Sequence, residues 1–99
     1  MARVVISDLA HSDFSEILRY LAVNAGFAIA ERYATAFDTL YERLADFPDS
    51  GPLRPALGTR VRIGLVPPFV VVYDHRESIV TVLRILHGKR NITRDLLKG

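Results

Sequence analysis

Cysteine is absent from the 99-residue chain, which excludes disulfides and thiolate metal sites and fits a reducing compartment. Long apolar runs are absent too. The longest, Leu65 to Tyr73, contains two prolines and falls far short of a membrane span of about 20 residues. The start, Met1-Ala2-Arg3-Val4-Val5-Ile6, is too short an apolar stretch for a signal peptide. These absences lead us to expect a soluble, cytoplasmic protein with no membrane partner. No internal repeat, low-complexity tract or interdomain linker interrupts the chain, so residues 1–99 are read as one domain.

What is present is apolar and unevenly charged. Hydrophobic residues make up 49% of the chain and charged ones 24%, with a mean hydropathy of +0.18. That is too apolar for disorder and apolar for a small monomer, so some surface is expected to belong to a partner. The net charge is only +2, yet residues 1–50 hold four Lys or Arg against eight Asp or Glu, while residues 51–99 hold nine against three. A basic second half indicates either an anionic or acidic partner or simply a solvated basic surface.

The elements follow from periodicity. Arg3 to Ile6 is a short strand that needs pairing from the second half. Ser7 is a helix N-cap with Asp8 in the first turn. Ala10, Phe14, Ile17, Leu18 and Leu21 then recur on one helical face, and Gly26 can supply a left-handed C-terminal cap. A second face follows at Ala30, Tyr33, Phe37, Leu40, Leu44 and Phe47, a helix closed by Pro48, with the aromatic residues assigned to packing. The short break makes the helices an antiparallel hairpin. After a proline-rich loop, Arg60 to Leu65 alternates as a half-buried strand. Pro67-Pro68 turns into the strand Phe69 to Tyr73, and Asp74 to Glu77 turns into Ile79 to Leu86.

The order specifies a two-layer α+β domain, β-α-α-β-β-β, with a helical hairpin packed on one face of a small, mainly antiparallel sheet. The last two strands are apolar on both faces. With no further helices to cover the second face, it is expected to be an interface or groove.

Polar residues narrow the candidates. Arg84 interrupts an apolar strand, and on a two-residue period it shares a face with Val80, Val82 and Leu86; it must be paired or face an open surface. Either it meets an acidic group of a partner, or it forms an internal salt bridge with Asp74 or Glu77. His87 ends the strand beside Lys89 and Arg90. It is either an acid/base group or a structural residue bonded to a backbone carbonyl. Tyr73 is read as core with its hydroxyl at the edge. His11 and His75 have no matching partners, so no metal site and no cofactor are expected. The tail, with Arg94, Asp95 and Lys98 around Leu96-Leu97, is a short helix or a frayed end.

The element order, the Leu44-Ala45-Asp46-Phe47-Pro48 ending followed by Gly51, the Phe69 to Tyr73 strand, and above all Val82-Leu83-Arg84-Ile85-Leu86-His87-Gly88-Lys89-Arg90-Asn91-Ile92 resemble the RelE/ParE superfamily of type II toxins, specifically its ParE branch. The resemblance runs from Val4 to Ile92. It implies a toxin held inactive in a hetero-oligomer by a cognate, ParD-like antitoxin whose C-terminal segment wraps it, with DNA gyrase as the target and nucleic-acid contact only through the antitoxin complex. RelE-like relatives instead cut messenger RNA in the ribosome, a reaction that needs a base, an acid and donors for the charged phosphorane. Arg62 and Arg90 match two basic positions of that branch, whereas Gly64, Val70 and Leu96 stand where others are expected. The resemblance therefore implies no catalytic residue here, and it makes Arg62, Arg84, His87, Lys89 and Arg90 candidate contacts for antitoxin or target. An inactive toxin serving in an autorepressing complex is the third reading.

Overall fold

A computed structural model describes residues 1–98. Strand β1 (Arg3–Ile6) leads into helix α1 (Asp8–Ala25) and helix α2 (Phe27–Asp46), followed by strands β2 (Val61–Val66), β3 (Phe69–Arg76) and β4 (Ile79–His87) and a 3-10 turn at Arg94–Leu97. The sheet order is β1-β4-β3-β2. β1 runs parallel to β4, with Arg3 opposite Ile79 and Ile6 opposite Val82, and the other pairs are antiparallel. The expected two-layer α+β architecture is what forms. No helix of the described residues is long and apolar enough to cross a membrane.

Ser7 joins three elements at once. Its hydroxyl accepts from the Ala10 amide at 3.1 Å, capping α1, and donates to the Leu83 carbonyl of β4 at 3.0 Å. Gly26 alone separates the helices, at φ 100° and ψ 159°. Its φ is positive, as for the left-handed cap expected of it, but its ψ is extended, a conformation that side chains rarely adopt. The hairpin packs its apolar stripe on the sheet, where Phe37 and Tyr73 are fully buried. Edge-on aromatic contacts, Phe14 to Phe37 at 5.5 Å and Tyr33 to Phe69 at 5.8 Å, tie both helices to the start of β3. Phe47, assigned to packing, is instead 66% exposed. The helix ends one residue earlier, and φ −132° at Phe47 takes its side chain out of the helical stripe.

Two further expectations change. The face of the sheet away from the helices is not bare: Leu57 of the α2–β2 loop is buried against Val61 and Val72, and Ile63, Leu83, Ile92 and Leu97 pack around them. The loop and the tail supply the cover that a second helix pair would have given. Arg84 also does not share a face with Val80 and Val82. Val72 pairs with Arg84 and Tyr73 with Val82, leaving Leu83 as an extra residue. This bulge shifts the alternation by one, so Ile85 joins Val80 and Val82 in the core under the helices.

The α2–β2 loop is latched by one phenol. The Tyr73 hydroxyl donates to the Pro48 carbonyl at 2.9 Å and accepts from the Gly51 amide at 3.0 Å. Burial pushes its ionisation upward. A Cβ at Gly51 would collide with the Ile63 carbonyl and lie 2.8 Å from the Tyr73 hydroxyl, so only glycine passes here. The same loop pairs Leu53 with Arg62 along the outer edge of β2, covering half of that edge and leaving Gly64 to Val66 open.

Replacing Tyr73 by Phe should cost about 1–2 kcal/mol in urea denaturation, because it orphans a buried amide and a carbonyl. Amide exchange at Gly51 should rise more than exchange in the helices; uniform protection across the chain would refute the latch.

Candidate functional site

The end of β4 carries the basic cluster. The Gly88 amide donates to the Pro68 carbonyl at 2.8 Å, fastening the strand end to the β2–β3 turn. The chain then reverses tightly, with the Arg90 amide donating to the His87 carbonyl at 2.9 Å. The Lys89 amide donates to Nδ1 of His87 at 3.1 Å. His87 thus accepts a backbone N–H, where the sequence reading paired it with a carbonyl, and in the neutral ring the proton resides on Nε2. The ring stands edge-on to Phe69 at 5.8 Å. His87, Lys89 and Arg90 are all exposed.

His87 and Arg90 form one wall of a groove of about 430 Å³ between the helical hairpin and the strand end, and Lys89 lies between them in the chain but outside its lining. Tyr20 and Tyr33 line the helical side, Pro68 and Phe69 the floor, and His87 and Arg90 the basic rim, with Asp13 and Glu16 of α1 facing them. Such a cleft, aromatic inside and charged at its margin, suits an amphipathic segment of another protein.

Arg84 and Arg62 lie elsewhere and are held by the chain itself. Arg84 Nε donates to Asp13 Oδ2 at 2.7 Å, Nη2 to Asp13 Oδ1 at 2.8 Å, and Nη1 to the Leu96 carbonyl at 2.6 Å. Its partner is therefore Asp13, not Asp74 or Glu77. The bulge turns Arg84 off the helix-facing side of the sheet, so the pair forms around the edge of β4, and the two side chains are only 14% and 12% exposed. Donating to the Asp13 carboxylate holds the Arg84 guanidinium above its ordinary value. Arg62 donates to the carbonyls of Asp49 at 3.0 Å and Gly51 at 2.8 Å, and its Nε lies 3.4 Å from Asp49 Oδ1. His75 Nδ1 is 2.8 Å from the same carboxylate. His75 first, and then Arg62, keep the Asp49 carboxyl below its usual value.

Sequence reasoning missed Asp13, Asp49 and His75 as partners. Asp13 precedes Phe14 on an amphipathic helix and carries no local signal. A lone arginine in an apolar strand announced that it needed a partner or an open surface, but neither which of the two nor which carboxylate. Among the described residues no group of three His, Asp or Glu side chains could hold a metal ion.

Comparison with known proteins bears on this fold and this strand end together. The model of the ParE toxin of the type II toxin–antitoxin system parDE matches residues 4–92. Toxin ParE3 of Caulobacter vibrioides is 30% identical over 98 residues, covering 99% of this chain and 98% of that protein. Toxin RelE2 of the same organism is 33% identical over 90 residues, covering 91% and 99%. A solved structure described as a chromosomal ParDE system from P. aeruginosa superposes with a TM-score of 0.74 at 21% identity, over 88% of this chain and 96% of that one, which supports the fold. With the match spanning both helices and all four strands, the chain belongs to the ParE toxin family of type II toxin–antitoxin systems.

Proposed function

We propose that this toxin acts by binding, with DNA gyrase as its target, and that a ParD-like antitoxin neutralises it by occupying the groove between the helical hairpin and the end of β4. The observation that carries the reading is the scattering of the groups a ribonuclease would need. Arg62 sits opposite Tyr73, while His87 sits opposite Phe69, four residues earlier in β3. At about 3.3 Å per residue the two are roughly 13 Å apart along the strand alone. With that offset, and with the Arg62 guanidinium already bonded to the α2–β2 loop, the two are not gathered at one scissile phosphate. General acid–base catalysis needs its groups within hydrogen-bond reach of one reacting centre.

The candidate contacts then divide into two groups. His87 and Arg90 at the rim of the groove, with the exposed Lys89 between them in the chain, are the contact residues, whereas Arg62 and Arg84 hold the scaffold that presents them. The aromatic lining from Tyr20, Tyr33 and Phe69 supplies the apolar area an antitoxin segment would cover, and the basic rim favours an acidic one.

The test is a cleavage assay. The toxin, freed of antitoxin, is incubated with gyrase, ATP and supercoiled plasmid, then stopped with detergent and protease. Linear plasmid should appear only with the toxin and vanish when antitoxin is added. Lys89→Glu combined with Arg90→Glu should lower the linear product at least tenfold while leaving the circular-dichroism spectrum unchanged. A folded, growth-inhibiting preparation that yields no linear plasmid would overturn the gyrase reading; cleavage of messenger RNA on programmed ribosomes, lost in Arg62→Ala and His87→Ala, would replace it with the RelE-like one. Absence of growth inhibition would leave the toxin inert within a repressing complex.

A further inference from the structure

Charge in this molecule is sorted by layer. The helical hairpin, residues 8–46, carries seven Asp or Glu against three Lys or Arg, whereas residues 47–98 carry nine Lys or Arg against four Asp or Glu. Because the hairpin lies on one face of the sheet, a polyanion is repelled from one side of the molecule and drawn to the other. On that other side the cations gather around a trough of about 360 Å³, away from the groove at the end of β4. Arg60 precedes β2, Arg76 ends β3, and Arg94 and Lys98 come from the tail; Asp74 is the one carboxylate in the lining. All four cations are exposed. In contrast to Arg62 and Arg84, none of them has an ion pair among the described residues.

We propose that this trough binds the sugar–phosphate backbone of duplex DNA. Four like charges around one depression repel each other until an anion joins them. Three are arginines, whose forked guanidinium matches phosphate oxygens in pairs. They stand around the rim, contributed by three separate segments, an arrangement suited to successive phosphates more than to one small anion. The lining contains no aromatic side chain, so it offers no platform for stacking unpaired bases, as single strands require. An acidic peptide would need apolar pockets for its anchor residues. Here the floor residues Leu57 and Val61 are already buried by the chain, at 8% and 7% exposure. Contact with phosphates alone gives binding without sequence preference. This inference does not depend on which enzyme the toxin inhibits.

The experiment is fluorescence anisotropy of a labelled random-sequence duplex titrated with the full chain, free of antitoxin, between about 50 and 200 mM NaCl. Binding is expected in the range of about 10⁻⁴ to 10⁻⁶ M near physiological salt, with log K falling against log salt at a slope of about −3 for three or four phosphates. Arg76→Gln with Lys98→Gln should weaken binding at least tenfold at the lower salt and flatten the slope by about 2. Arg19→Gln with Arg32→Gln, which removes the same charge from the helices, should change neither by more than twofold. Arg60→Gln with Arg94→Gln serves as a second pair should the first fail to fold by circular dichroism. The proposal is overturned if the helical pair weakens binding as much as the trough pair, if no binding occurs at the lower salt, or if polyglutamate of matched charge binds as tightly as the duplex, which would make the trough a site for acidic peptide.

Discussion

The carboxylate of Asp13 at the bare edge of β4 is the contact on which the assembly of this protein depends. β4 has β1 beside it only as far as Val82. Beyond that point the strand would present unpaired polar groups on its outer side, and burying them without partners is costly. Helix α1 finishes the edge instead. Ser7 takes the Leu83 carbonyl, and Asp13 Oδ2 accepts both the Ile85 amide at 2.9 Å and Arg84 Nε. Arg84 then reaches the Leu96 carbonyl, so one guanidinium joins the helical layer, the central strand and the tail that covers the opposite face. The pair is nearly buried, and such pairs act as locks more than as sources of net stability, because desolvation offsets much of the attraction.

A second polar clasp organises the other end of the sheet. The Tyr73 phenol and the Arg62 guanidinium both bind the carbonyls of the α2–β2 loop, drawing Pro48 to Gly51 onto β2 and β3. The loop in turn covers part of the β2 edge and sends Leu57 into the second small core. With both ends clasped, the short reversal at His87 to Arg90 is presented from a fixed position, fastened through Gly88 to the β2–β3 turn. A basic cluster on so rigid a support suits recognition by shape and charge.

Much of this was legible in the residues. The 3-4 spacing from Ala30 to Leu44 and the unbroken strand from Ile79 onward each carry their own period, and short turns leave little choice of topology. The strand-end motif placed the chain in its family. Illegible were the bulge at Leu83, the exposure of Phe47 and the covering of the second sheet face by the loop and tail. A bulge has no local signature when the residues on either side are equally apolar, and Phe47 continues a helical period that the backbone itself abandons. The leucines of the loop and tail could serve a partner or their own sheet, and only the path of the chain distinguishes the two.

The sequence by itself determined the element order, the two-layer class and the basic character of the second half, because periodicity, turn residues and charge are local properties. Tertiary structure decided which cations remain available. Arg62, Arg84, Lys89 and Arg90 look alike in the sequence, yet the first two are bound by the loop and by Asp13, residues 11 to 71 positions away, while the last two face outward. An ion pair is set by distance in space, and the energy of a charge depends on what the fold places beside it.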